Sequence, residues 1–262
     1  MKFARQAGTL VGVIHLPALP GAPRYRGDFE AIRASTARDA EALAAAGFDA
    51  VIVENFGDAP FFAGPVGPET VAAMAVLVDT ARRASGLAMG VNVLRNDGQS
   101  ALAVAVATGA RFIRVNVLVA ARVTDQGVVA SDAARLLRFR AALGAQGVGL
   151  IADVGVKHSA PLGLGGSIEE EAIEAVERSL ADAVVVTGAR TGAEADTARV
   201  EAVRAAIGET PVWLGSGVRA ETLGAWLAVA DGVIVGSDLR EGGRAGGPID
   251  PARARRFTAM RG

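Results

Sequence analysis

His15, Glu54, Asn92, Asn116, Asp153 and Thr187 each fall at the end of a short apolar run. Side chains alternate along a strand, so each shares a face with the residue two positions before it: Val13, Ile52, Gly90, Arg114, Ile151 and Val185. In a closed ring of parallel strands, these positions point inward and deliver six polar groups to one rim. Burying such groups without partners costs roughly 1–3 kcal/mol each, so stability alone would have favoured valine. Glu54 and Asp153 are two carboxylates aimed at one hollow. They can divide acid and base roles between them. With His15 and Lys157 as proton partners, they form the candidate catalytic set. Asn92, Arg114, Asn116, His158 and Thr187 are the candidate substrate contacts. Each has a structural alternative: an Asn or Thr at a strand end commonly caps a loop, and Arg114 can pair with Glu54 or Asp153. No cofactor is required by this set, although a divalent ion on Glu54, Asp153 and one histidine is a variant of it.

A second feature is chemical through its backbone. Val212-Trp213-Leu214 runs into Gly215-Ser216-Gly217-Val218, and Val233-Ile234-Val235 runs into Gly236-Ser237. Small residues let an anion approach backbone N–H groups that a Cβ would shield, and serine adds a hydroxyl donor. One Gly-Ser-Gly turn is a weak signal. Its weight comes from its place after the seventh strand, with Gly236-Ser237 after the eighth, where (β/α)8 barrels bind phosphate. Gly188, after the sixth, would join Gly215, Ser216, Gly217, Gly236 and Ser237.

Those positions presuppose eight strands. Near-continuous apolar runs at 11–15, 50–54, 88–93, 112–116, 149–153, 183–187, 212–215 and 233–236 suit parallel strands buried on both faces. Helical periodicity separates them at 29–46, 66–83, 99–108, 131–143, 168–180, 196–207 and 220–229. A last helix at 251–260 is capped by Asp250 and opened by Pro251. Eight strand–helix units predict a (β/α)8 TIM barrel, read as one domain over residues 1–262. An open doubly wound sheet would carry a glycine fingerprint after its first strand; His15-Leu16-Pro17-Ala18-Leu19-Pro20-Gly21 has none. Three strand-to-helix loops are long, at 55–65, 118–130 and 155–166, and lie on the expected active face. The glycines of the last suggest a mobile flap.

Composition narrows the chemistry. Net charge is −1 with the signs interspersed, so no basic patch points to nucleic acid. No run reaches the length of a membrane span and the first residues lead into no secretory core, so a cytoplasmic protein without membrane insertion is expected. The chain has no cysteine and two histidines. Thiol nucleophiles, disulfides, iron–sulfur clusters, thiolate zinc and His-rich metal sites are excluded.

Val53-Glu54-Asn55-Phe56-Gly57-Asp58-Ala59-Pro60-Phe61 and Gly90-Val91-Asn92-Val93-Leu94-Arg95-Asn96-Asp97 resemble the BtpA/SgcQ family. So do Arg114-Val115-Asn116, Thr124-Asp125-Gln126-Gly127, Ala152-Asp153-Val154, Val156-Lys157-His158 and Val186-Thr187-Gly188. With the first and seventh turns quoted above, the matching pieces span nearly the whole chain in family order. Two departures are visible: Ala18 replaces a more usual proline, and Asp238 stands where a small uncharged residue is commoner. The resemblance implies a ribulose-phosphate-binding type of barrel. One member type is named for photosystem I biogenesis; another, encoded among sugar-utilisation genes, is regarded as a nucleosidase or phosphosugar enzyme. Two readings follow. The first is an enzyme acting by acid/base chemistry on a phosphorylated sugar or nucleoside-like metabolite, as a phosphosugar isomerase or lyase or a nucleosidase. The second is a non-catalytic biogenesis or regulatory factor for a membrane complex, with the Pro60-Phe61-Phe62 loop as its candidate contact. A homo-oligomer is expected on either.

Overall fold

A computed structural model describes residues 7–156, 159–163, 166–187 and 197–261. Its strands are β1 (Thr9–His15), β2 (Ala50–Glu54), β3 (Ala88–Asn92), β4 (Phe112–Val115), β5 (Ala121–Thr124), β6 (Gly127–Ala130), β7 (Gly149–Val154), β8 (Ala160–Pro161), β9 (Ala183–Val186), β10 (Val212–Leu214) and β11 (Gly232–Val235). Eight of them, all but β5, β6 and β8, are parallel and close a barrel in chain order, with β11 paired to β1. Its helices are α1 (Phe29–Ala46), α2 (Pro68–Ser85), α3 (Gly98–Thr108), α4 (Ala133–Ala142), α5 (Ile168–Ile173), α6 (Thr197–Ile207), α7 (Leu223–Val229) and α8 (Pro251–Ala259). Local chemistry sets their ends. Asp28 accepts the Ala31 N–H to start α1, Asp97 accepts that of Ser100 in α3, and Asp250 caps α8 ahead of Pro251.

Parity sorts the side chains as strand alternation requires. Val11, Val13, Ile52, Phe112, Ile151, Val185, Trp213 and Ile234 fill the barrel interior. Their neighbours, such as Leu10, Ile14, Val51, Val53, Val91 and Leu150, pack outward under the helices. The Phe112 and Trp213 rings meet edge to face at 6.1 Å near the bottom. Gly90 makes room for them, since a Cβ there would fall 2.2 Å from Phe112 Cε2. Register then aligns the rim: His15 pairs with Glu54, and Glu54 with Asn92.

Three segments carry structure that the sequence reading did not specify. Residues 118–130 hold a hairpin, β5 and β6, because Thr124-Asp125-Gln126-Gly127 forms a tight turn with Gly127 at φ 95° between β-branched flanks. The 155–166 loop, expected as a mobile flap, contributes β8, which pairs with β5 into a small three-stranded sheet. Arg122 ties this sheet down through Ser159 Oγ at 2.7 Å and Glu171 at 3.3 Å. Burial pushes the Glu171 carboxyl above its ordinary value, against the Gly155 N–H bond and the Arg122 charge. The helix expected over 168–180 runs as α5 and then widens into a π-turn, Glu174–Arg178, closed by Ser179 N–H on the Glu174 carbonyl.

The first two rim loops interlock. Gly57 N–H donates to the Leu16 carbonyl at 2.9 Å, and Asp58 Oδ1 accepts from Leu19 N–H at 2.7 Å. A Cβ on Gly57 would lie 2.2 Å from Ala18 N and 2.4 Å from the Pro17 carbonyl carbon, both backbone atoms that cannot step aside. Gly57→Ala is therefore expected to cost at least the usual overpacking penalty of about 1–3 kcal/mol. Chemical denaturation of the purified variant checks it, and an unchanged midpoint would contradict the close approach.

Candidate functional site

The carboxyl ends of the strands open into a cavity of about 820 Å3. His15, Glu54, Asn92, Arg114 and Asn116 line it from β1 through β4. Gly215, Ser216, Gly217, Gly236 and Ser237 line the same cavity, so both small-residue turns and the polar rim share one space. Phe56, Phe61 and Arg95 form further walls, and the hairpin tip, Asp125 and Gln126, reaches it from above.

His15 and Glu54 form one pair. His15 Nε2 lies 3.2 Å from Glu54 Oε1, both side chains being almost fully buried. Asn92 Nδ2 donates to Glu54 Oε2 at 3.3 Å. On its other side, His15 Nδ1 accepts the Gly246 N–H at 3.1 Å, and the ring stacks on Phe56 at 4.5 Å. Gly236 completes this clamp, because a Cβ there would stand 2.9 Å from His15 Cε1. The glycine thus serves the imidazole, a role that the anion argument from sequence did not include.

Asp153 is placed differently from the expectation that it faces the hollow. It is 3% exposed and is not among the cavity-lining residues. Arg114 grips it in a fork, Nε to Oδ1 at 2.7 Å and Nη2 to Oδ2 at 2.9 Å, and Asn116 Nδ2 adds a third bond at 2.8 Å. Burial opposes the Arg114 charge, yet the charge and hydrogen bonds of Asp153, helped by Glu54, hold its pKa above the ordinary value. Gly215 gives this guanidinium its path: a Cβ would lie 3.2 Å from Arg114 Nη2 and 2.3 Å from Val185 Cγ1. Asn116 Oδ1, buried at the cavity wall, has no hydrogen-bond partner among the described residues. The Thr187 hydroxyl donates to the Gly155 carbonyl at 2.8 Å and does not line the cavity. Lys157, His158 and Gly188 lie outside the described residues.

Around the small-residue turns, Gly217 sits at φ 74°, a left-handed conformation that suits glycine. Asp238, which stands beside them in place of a small uncharged residue, has two partners. Its Oδ2 accepts the Ala220 N–H at 3.0 Å and its Oδ1 the Arg253 guanidinium at 3.2 Å. Sequence reasoning missed Arg240, which is 1% exposed. Its guanidinium bonds the carbonyls of Val13, Gly236 and Gly247, fastening the segment after β11 to β1. Burial lowers its pKa to about 10, against the attraction of Asp39 and Glu54. No local pattern marks an arginine that bonds backbone far away in the chain. Arg95, also missed, is similarly held below its usual value by burial, with Asp153, Asp125 and Glu54 opposing.

The metal variant would draw on Glu54, Asp153 and one histidine. Both Asp153 oxygens are taken by Arg114 and Asn116, and among the described residues no group of three or more His, Asp or Glu side chains gathers to hold an ion. Nor is any described helix long and apolar enough to cross a membrane.

An eight-stranded parallel barrel with polar residues at its carboxyl rim is a TIM barrel. Solved structures similar to it include N-(5'-phosphoribosyl)anthranilate isomerase from Pyrococcus furiosus, with TM-score 0.57, 14% identity and coverage of 96% of this chain and 98% of that one. Orotidine 5'-phosphate decarboxylase from Pyrococcus horikoshii gives TM-score 0.55 at 14% identity, over 96% and 99% of the two chains. These likenesses concern the fold. The chain belongs to the BtpA family, which it matches over residues 6–261. It is 42% identical to the photosystem I biogenesis protein BtpA of Synechocystis over 95% of this chain and 86% of that protein. It is also 42% identical to an uncharacterized protein of Thermococcus kodakarensis, over 99% and 97% of the two.

Proposed function

We propose that this protein is an enzyme acting on a phosphorylated sugar or nucleoside-like metabolite. The phosphate rests on the amides and hydroxyls of Gly215, Ser216, Gly217, Gly236 and Ser237, with Gly188 as a further member. The sugar lies across the barrel mouth toward Asn92 and Asn116. Glu54, paired with His15, moves the proton; Arg114 and Asp153 hold the wall behind it. A carboxylate beside an anchored sugar serves isomerisation, retro-aldol cleavage or glycosidic-bond cleavage alike. One observation carries the reading: a single cavity joins the two small-residue turns to the His15–Glu54 pair. The names of the barrel enzymes described above, both acting on phosphoribosyl compounds, support it by analogy of fold.

Thermal melting with inorganic phosphate, ribose 5-phosphate and a nucleoside monophosphate tests it. Ligand at about a hundred times its Kd stabilises by about 2.7 kcal/mol, which raises the melting temperature of a barrel this size by roughly 5–10 °C. Gly217→Val forces a β-branched residue to positive φ and is expected to abolish the shift. Ser237→Glu, which sets a like charge against the anion without touching that turn, should do the same. No shift with any of the three ligands would remove the reading.

A second reading, an assembly factor without catalysis, has its own supports: the name of the Synechocystis relative and the 65% exposure of Phe62. Phe61, its neighbour, lines the cavity instead. On that reading Phe62→Asp abolishes partner capture and phosphorylated ligands leave the melting temperature unchanged.

A further inference from the structure

We propose that His15 is a positioning residue, locked as its neutral Nε2–H tautomer by the Gly246 backbone, and that Glu54 is the cavity's proton acceptor. The inference deepens the function proposed above and rests on it. A backbone N–H can only donate, and that of Gly246 reaches His15 Nδ1 at 3.1 Å. Nδ1 therefore presents its lone pair, and in a neutral imidazole the proton sits on Nε2. Nε2 faces Glu54 Oε1 at 3.2 Å, while the Asn92 amide, also a donor, reaches Oε2 at 3.3 Å. Glu54 receives a donor on each oxygen, the arrangement of an ionised carboxylate.

Phe56 stacks on one face of the His15 ring, and the Gly236 backbone lies so near the ring edge that a Cβ would not fit between them. The segment carrying Gly246 is held by Arg240, whose Nη2 bonds the Val13 carbonyl at 2.8 Å and whose Nε bonds that of Gly247 at 3.0 Å. A buried arginine far along the chain thus fixes which imidazole nitrogen carries the proton. To act as a base, His15 would need a free lone pair on Nε2, which the Gly246 bond denies it. In the step itself, a substrate C–H or O–H bond breaks, its electron pair stays on the substrate, and the proton passes to Glu54. It returns to the product in the second half-reaction. The His15 Nε2–H stays in place throughout, and no redox partner enters.

Nitrogen-15 and carbon-13 NMR of the intact, ligand-free protein near neutral pH tests this directly. The chain has only two histidines, so His158→Asn leaves the His15 signals; contacts between its ring protons and Phe56 assign them independently in the unaltered protein. The expected spectrum has a protonated, pyrrole-type Nε2 and an unprotonated, pyridine-type Nδ1 on His15, with the Glu54 carboxyl carbon at its ionised position. A protonated Nδ1, in either the other tautomer or the imidazolium, overturns the proposal, and so does a protonated Glu54. Inorganic phosphate added to the same sample separates the two levels. Failure to shift the amides of Gly215–Gly217 would count against the functional reading, whatever the tautomer.

Discussion

Asp153→Ala is expected to lower the unfolding free energy by about 3–5 kcal/mol, the cost of stranding one member of a buried ion pair. Arg114 lies wholly inside the barrel, and Asp153 is the carboxylate its fork grips. Asn116 would lose the acceptor of its Nδ2 at the same time. Replacing both members, as Arg114→Met with Asp153→Leu, removes charge and countercharge together and should recover most of that loss, because well-packed apolar pairs of similar volume are often as stable as the ion pair they replace. Denaturant midpoints of the two single variants and the double variant measure the coupling. A single Asp153 variant within 1 kcal/mol of the parent would show that this carboxylate is not holding the wall.

Glu54→Gln is expected to reduce turnover of a phosphorylated substrate by about 10²–10⁴-fold, the usual contribution of a positioned proton-transfer group. The amide keeps the shape of the side chain and can still accept from His15 or Asn92 on one atom, so the fold and the ligand-induced melting shift should survive. A loss in kcat with KM nearly unchanged marks a group acting in the transition state, and the reverse pattern a group that only binds. Turnover equal to that of the unaltered protein would transfer the proton role to another residue.

Much of the architecture was legible in advance. Strand alternation placed His15, Glu54, Asn92, Arg114 and Asn116 at one rim, and the structure puts all five on one cavity wall. The eight strand cores and the α1 bounds agree with the periodicity almost residue by residue. Pairing within the rim was not legible. Which carboxylate Arg114 would choose depends on side-chain reach across neighbouring strands; it chose Asp153, leaving Glu54 to face the cavity. Glycines at 215 and 236 looked like devices for an anion alone. Their inward Cβ positions are in fact filled by Val185, Arg114 and His15, contacts between elements far apart in sequence. Gly246 and Arg240 lay beyond reach for the same reason: their partners are the ring of His15 and the carbonyl of Val13, at the other end of the chain. The β5–β6 hairpin had a turn signal in Thr124-Asp125-Gln126-Gly127, but runs of four residues are too short for alternation to separate strand from loop.

A crystal structure with ribose 5-phosphate bound is the most direct test. The phosphate should sit on the N–H groups of Gly215–Gly217 and Gly236-Ser237, with the sugar extending to within hydrogen-bond reach of Glu54 and Asn116. Density for the sugar phosphate anywhere else on the barrel, or a phosphate at those turns with its sugar directed away from Glu54, would contradict a shared acid/base and anion site.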